Sequence, residues 1–478
     1  MAAVIAAQRD EHRIPQRCPC RARGVSRSWS CKHKDRELTP QAVWRAALTA
    51  GVRQLFAARR GTYGSSRITA GLSRLLSQTR GSAGPCRVGH HGDMEMSPGG
   101  APRHDRLRAM RRQTSAMLDH LSALVSVETP SVDLTACMAG AVAVSELAAA
   151  LLQEPGERLE VGGRPHLRWK WPAGEGRPGV LLIGHYDTVW PMGTLARWSF
   201  FADESAGTAT GPGCFDMKAG IIQLFHAVAS LDTRDGIEIL LTSDEEIGSP
   251  TSRDLIEDAA RQASAALILE PSAGGALKVE RKGIGMYRVE VRGRAAHAGL
   301  EPENGANALV ELSHLLIATS AMARPDRGTT VTPAVAQAGT ARNVVPALAY
   351  AELDVRAVLP QEALRVDREL KALQTTVPGT VVCITGGPNR PPMPRSSSAT
   401  LHPLACDLAS GLGLGPLGGA SVGGGSDGNF TAAAGCPTLD GLGAVGGNAH
   451  AEGEHVSIAA MPERAALLAE LLDHLRTE

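Results

Sequence analysis

From residue 105 onward, short apolar runs alternate with stretches of helical spacing. VLLIG at 180–184, IEILLTS at 237–243 and ALILE at 266–270 are strand-like, and each runs into polar or acidic residues. A fourth, Gly-rich run, PTLDGLGAV, lies at 437–445. Upstream, MLDHLSALVSV and MAGAVAVSELAAALLQ repeat apolar residues at helical spacing, and helical patterns also separate the first three strands. Strands that alternate with helices predict an α/β fold with a mixed, mainly parallel sheet and helices on both faces. Residues 279–390 read differently. The strands MYRVEVRG, VTPAVAQAG, AYAELDVRAVL and TVVCITG surround two helices, NGANALVELSHLLIATSAM and EALRVDRELKALQ. That is an inserted α+β unit, after which the chain returns to its first domain, so 105–278 and 391–478 form one domain and 279–390 another.

Composition refines this picture. With 478 residues the chain is too long for one ordinary domain, and 43% hydrophobic residues suffice for sizeable cores. Aromatics are 3%, so those cores rest on Val, Leu, Ile and Ala. The formal net charge is zero, which gives no whole-chain case for nucleic acid or membrane binding. The zero conceals an asymmetry: residues 1–104 hold about 18 Lys and Arg against about 6 Asp and Glu, and the remainder is acidic by the same margin. Within this basic segment, CRARGVSRSW at 20–29 and RRGTYGSSRITAGL at 59–72 resemble the DNA-binding start of an insertion-sequence transposase, without its acidic catalytic core. Residues 81–104 read as linker, and 1–104 as a whole as a disordered or remnant segment. Nine scattered cysteines without a CxxC pair argue against a disulfide framework and suit a reducing cytoplasm. The start carries no signal-peptide pattern, and no stretch of 18 or more apolar residues predicts a membrane span.

The chemistry gathers at the strand ends. VLLIG leads into His185-Tyr186-Asp187, and on an extended chain residues i and i+2 share a face. Asp187 can then serve as the partner that orients a metal-bound His185. Asp216 follows a Gly/Pro turn and precedes a helix, Asp244, Glu245 and Glu246 follow the second strand, and Glu270 ends the third. His450, Glu454 and His455 lie in a Gly-rich segment near the C-terminus, and GGGSDGNF at 423–430 reads as a flexible polar loop. Each has an ordinary explanation alone: Asp216 as an N-cap, 244–246 as a solvated turn, His450 as a surface residue. Together they place imidazoles and carboxylates where open α/β sheets bind ligands. Mixed nitrogen and oxygen donors fit zinc, whereas an all-oxygen set points to magnesium or calcium.

At this point a resemblance becomes specific. GHYDTV, GPGCFDMKAG, SDEEIGS, LEPS, GRAAHAGLEPENGANALVE, ARNVVP and GGGSDGNFTAAAG occur in order between residues 184 and 435. The chain from about 105 to 478 resembles the zinc-dependent carboxypeptidase and aminoacylase family, in its glutamate carboxypeptidase branch. The resemblance implies two Zn2+ per chain, with Co2+ or Mn2+ as substitutes. It implies that His185, Asp216 and Glu270 hold one ion, and that Glu246 and His450 hold the second, with Asp216 shared. Glu245 is then the general base and acid, and Asp187 orients His185. The insert is then a lid and dimerisation domain, in which His297 reaches a partner subunit's site and polarises the scissile carbonyl, while Asn343 and Arg390 bind the substrate's carboxylate. The partners so implied are a small peptide or N-acyl amino acid with a free carboxylate and a second copy of the chain. The sequence departs from the glutamate carboxypeptidases at Met217, where they carry a second Asp, and the loop around His450 is unusually Gly-rich. A cis peptide is expected after Asp216. Three other readings are an aminoacylase or N-acyl amino acid deacetylase with the same site, a DNA-binding protein on the strength of the basic segment, and a catalytically dead scaffold, which the complete ligand set and Glu245 argue against.

Overall fold

The computed structural model describes residues 101–174 and 178–477, with side chains from residue 105. Residues 1–100, with the transposase-like motifs and the expected disorder, lie outside the described residues. Helices α1 (Ala101–Arg112), α2 (Thr114–Val125) and α3 (Leu134–Leu152) come first, and Asp133 caps α3 by accepting from the Ala136 N–H at 3.0 Å. Strands β1 (Glu157–Val161) and β2 (Arg164–Lys170) then form an antiparallel hairpin. The sequence reading missed it. Its signal was Gly162-Gly163, which occupy the turn at φ of 59° and 78°, where a two-residue hairpin needs positive φ. Next come β3 (Gly179–His185), α4 (Ala219–Ala229), β4 (Ile237–Thr242), α5 (Arg253–Gln262) and β5 (Ala263–Ile268).

The chain then enters a second layer system: β6 (Gly283–Arg292), α6 (Ala308–Ser320), β7 (Thr330–Ala338), β8 (Leu348–Ala357), α7 (Pro360–Lys371) and β9 (Val381–Arg390). It returns through α8 (Leu401–Gly411), α9 (Gly428–Ala433), the two-residue β10 (Thr438–Leu439) and α10 (Ala460–Thr477). The run PTLDGLGAV yields so short a strand because Asp440 turns inward onto Arg281 and Gly441 takes a positive φ of 77°.

The main sheet has the order β1-β2-β4-β3-β5-β10. Pairs β4/β3, β3/β5 and β5/β10 are parallel, and the β1–β2 hairpin adds antiparallel to β4. Side-chain alternation fills both faces. Val180 and Leu182 of β3 join a core with α2, α3, α4 and α10, whereas Leu181 and Ile183 pack against Ile256 and Ala259 of α5 and Phe430 of α9. Helix α3 is apolar enough by length and composition to cross a membrane, with mean hydropathy 1.7. Here Ala141, Val144, Ala148 and Leu152 on it pack into the first of these cores.

The insert is an antiparallel sheet of order β7-β8-β6-β9. Its own core joins Val289, Val291, Ala351, Leu353 and Val355 to Leu312 and Leu315 of α6 and Val366 and Leu370 of α7. Helices cover one face only, the usual arrangement for an antiparallel sheet.

Candidate metal centre

The three central parallel strands end on the same edge. His185 is the last residue of β3, Glu245 and Glu246 follow β4, and Glu270 follows β5. A loop ahead of α4 brings Asp216 to this edge, and the loop before the C-terminal helix brings His450. His185 Nε2 lies 3.3 Å from Asp216 Oδ1 and 3.4 Å from Glu270 Oε1. His450 Nε2 lies 3.3 Å from Asp216 Oδ2 and 3.2 Å from Glu246 Oε2. Asp216 therefore turns one oxygen toward each imidazole. The peptide after it, Asp216–Met217, is cis, as expected.

These spacings test whether the group fits a metal. Donors at the corners of a tetrahedron with bonds of about 2.0–2.1 Å lie about 3.3–3.4 Å apart. The four separations match that edge length. Asp216 Oδ1 is moreover buried with no hydrogen-bond partner of its own, and a bound cation would satisfy it. Two sets of three donors fall within 4.8 Å of one another, His185–Asp216–Glu246 and His185–Glu245–Glu270. Distance alone thus places Glu245 as near to the cluster as the expected ligands.

What surrounds the cluster separates the carboxylates. Asp187 is fully buried: it accepts from Ser131 Oγ at 2.6 Å and from the Glu245 and Glu246 N–H groups at 3.3 and 3.2 Å. Its backbone oxygen lies 3.0 Å from His185 Nδ1 and its Oδ1 3.4 Å, so the imidazole is held through main chain as well as carboxylate. Asp244 points away from the cluster and accepts from the backbone and hydroxyl groups of Thr251 and Ser252. Glu246 goes to His450. Glu245 goes to Arg390, whose Nη2 lies 2.9 Å from its Oε1. Three adjacent acids are thereby sent in three directions, which relieves their mutual repulsion. Behind Glu270 stand Arg281 at 3.4 Å and Lys278 at 3.8 Å, and Arg281 also pairs with the buried Asp440.

Proton affinities follow these surroundings. Burial pushes the Glu245 carboxyl well above its ordinary value against the pull of Arg390 and His185, which suits a group that accepts and returns a proton. Burial also pushes Glu246 up to about 6. Burial opposes ionisation of Asp216, yet the His185 and His450 imidazoles beside it hold its carboxyl far below the usual range. Contacts with Asp216 and Glu246 push His450 up to about 10. A cation between these groups would replace the protons that the imidazoles otherwise carry.

The remaining candidates are placed differently. Arg390 is only 3% exposed: Nη1 donates to Asp427 at 2.8 Å, and Nη2 also reaches Ser249 at 3.0 Å. It lines a cleft of about 300 Å³ between the cluster and the insert, together with Arg356 and Met286. His297 and Asn343 sit side by side on the insert, joined by an Ala298 N–H to Asn343 carbonyl bond of 2.9 Å, and both are exposed. Neither bonds to the cluster among the described residues, and neither lines the cleft. His455 also stands apart, with Nδ1 on the Gly453 carbonyl. Sequence reasoning missed Asp427, which it left in a flexible loop. Asp427 is buried because Arg390, Ser249 and Thr242 all converge on it. Arg281 was missed as well, since a lone Arg closing the strand Leu277–Arg281 carries no signal of the buried acids it will meet.

An α/β sheet whose strand ends gather imidazoles and carboxylates at ligand spacing is the frame of a metal-dependent hydrolase, and the family match makes the bond it cuts an amide. The chain belongs to peptidase family M20/M25/M40, whose model matches residues 181–474. It is 33% identical over 311 residues to carboxypeptidase G2 of Pseudomonas sp. (strain RS-16), covering 63% of this chain and 74% of that protein. Acetylornithine deacetylase of Myxococcus xanthus is 29% identical over 218 residues, and succinyl-diaminopimelate desuccinylase of Caulobacter vibrioides 30% over 201; the matches span 56% and 52% of those proteins. Among solved structures, the metallo-carboxypeptidase Sso-CP2 of Sulfolobus solfataricus superposes with a TM-score of 0.61 at 18% identity, over 76% of this chain and 99% of that one. Aminopeptidase PepT of Bacillus cereus gives 0.58 at 20% identity, over 77% and 98%. At those identities the structures speak for the fold.

Proposed function

We propose that the chain is a di-zinc carboxypeptidase of glutamate type, which releases a C-terminal amino acid from a small peptide or N-acyl amino acid. The observation that carries this is Asp216, with one oxygen 3.3 Å from each of two imidazoles, as a carboxylate shared by two ions requires. His185 and Glu270 would complete one ion's protein ligands, and Glu246 and His450 the other's. Bound there, the ions would polarise the scissile carbonyl and acidify water, with Co2+ or Mn2+ as substitutes. Glu245 takes a proton from the attacking water as its oxygen bonds to the carbonyl carbon. It returns that proton to the nitrogen as the C–N bond breaks, giving a carboxylic acid and an amine. Asp187 holds His185 and the 245–246 backbone in register for this exchange.

The insert serves as lid and dimerisation domain in this reading. His297 Nδ1 accepts from the Gly299 and Leu300 N–H groups at 3.1 Å each, so the ring proton resides on Nε2. That N–H is an outward donor suited to a developing oxyanion in a second copy's site. The exposed Leu309, Val310 and Ile317 on α6 and the exposed edge strand β7 support pairing of inserts. Arg390, with Asn343 brought to the cleft from a second copy's insert, forms the carboxylate clamp. Arg390 lines the cleft, and it engages substrate by exchanging its Glu245 contact. The described cysteines are free, which suits a cytoplasmic enzyme.

A second reading, an N-acyl amino acid deacetylase, uses the same cluster and is favoured by the likeness to the deacetylase and desuccinylase above. Zinc-replete protein tested on acyl-glutamate, acyl-aspartate and acyl-ornithine substrates separates the two. Fastest release of glutamate is expected. A preference for acetylornithine replaces the first reading with the second, and no hydrolysis of any of them overturns both.

A further inference from the structure

Four residues beyond His450 lies a carboxylate that the reaction does not use. Glu454 is fully buried, and each donor found for its carboxylate is an N–H group. Its Oε1 accepts from Phe215 at 2.8 Å and from Asp216 at 3.0 Å. Its Oε2 accepts from Gly213 at 3.0 Å and from the Trp190 indole at 2.8 Å. Three of the four donors belong to the backbone that carries Asp216. Just beyond Glu454, His455–Ser457 pairs antiparallel with Thr208–Thr210, the strand leading into that same loop. One side chain therefore ties the main chain under the shared carboxylate to the loop that bears His450.

We propose that Glu454 is a positioning residue for the shared carboxylate. By holding Asp216 and the His450 loop at fixed separation, it sets the affinity of the ion site on the His450 side. This rests on the two-ion reading above. The physical reason is that an ion site tolerates only small errors in donor spacing, and partners behind the ligands govern affinity. A charged carboxylate accepts from all four N–H groups at once. A glutamine does not: whichever way its amide turns, two N–H groups face an NH2 instead of an oxygen.

The test is titration of metal-stripped full-length protein with Co2+, followed by calorimetry and visible absorption, with the Tm of the stripped protein measured in parallel. Wild type is expected to bind two ions per chain. Glu454→Gln is expected to weaken the second ion by about 10- to 100-fold and change its absorption band, with the first ion retained. Trp190→Phe added to Glu454→Gln removes one opposed N–H and is expected to restore part of that affinity, which a loss of general stability would not allow. Two ions bound by Glu454→Gln with wild-type affinities and spectrum overturn the inference alone. No ion bound by wild type overturns the two-ion reading as well. Should Glu454→Gln not fold, Trp190→Phe by itself decides: a several-fold weaker second ion supports the inference, and an unchanged one overturns it.

Discussion

The cluster at the strand ends and the pair His297–Asn343 on the insert are built in opposite ways. Around the cluster, each acid has a fixed counterpart: Asp187 is held by Ser131 and two backbone N–H groups, Glu245 by Arg390, and Glu270 by Arg281 and Lys278. His297 and Asn343 are exposed, with contacts confined to their own loops and strand. A metal site must be preformed because ligand spacing is unforgiving, and buried charge is tolerable only when paired. A donor that completes a site from another chain must instead stay on the surface. Burial therefore distinguishes what one chain assembles from what two chains would share.

Four measurements can break or sharpen this contrast. The largest effect is expected from stripping metal: dialysis against a chelator should abolish amide hydrolysis, and added Zn2+ should restore it. Full activity in a preparation shown by elemental analysis to be metal-free would remove the basis for the cluster's role. Next, Glu245→Gln should lower kcat by about 10²- to 10⁴-fold with metal content unchanged. If metal is lost instead, Glu245 is a ligand alongside His185 and Glu270, whose donor atoms lie within 4.8 Å of its own.

His297→Ala should cost about 10²- to 10³-fold, the usual loss of one oxyanion donor. Mixing it with Glu245→Gln should then recover about a quarter of wild-type activity through mixed dimers with one intact site in two. No recovery after verified subunit exchange would put His297 to work within its own chain. The smallest effect is expected from Arg390→Ala, about 10- to 100-fold, as for a lost charge-assisted hydrogen bond. A rise in KM that disappears with amidated substrate marks a carboxylate clamp. A fall in kcat alone marks a group that acts by holding Glu245.

Much of this was legible before any coordinates. Three strand-like runs ending in polar residues located the sheet edge where imidazoles and carboxylates gather, because a parallel sheet places successive carboxyl ends together. Strand-like runs around two helices revealed the α+β insert. The hairpin at Gly162-Gly163 was overlooked, although its turn residues marked it. Asp427 was read as part of a flexible loop, because nothing local announces that an Arg 37 residues earlier will meet it.

Sequence by itself determined which strand and loop ends carry imidazoles and carboxylates. Residue chemistry and the strand period of two are local properties, and they survive without a third dimension. Only the tertiary structure decided which partners the three consecutive acids 244–246 meet. Asp244 turns to Ser252, eight residues on, whereas Arg390 for Glu245 and His450 for Glu246 come from distant parts of the chain. It also decided that Arg390 is buried against Glu245 and Asp427, because burial depends on which segments pack together and local pattern does not encode that.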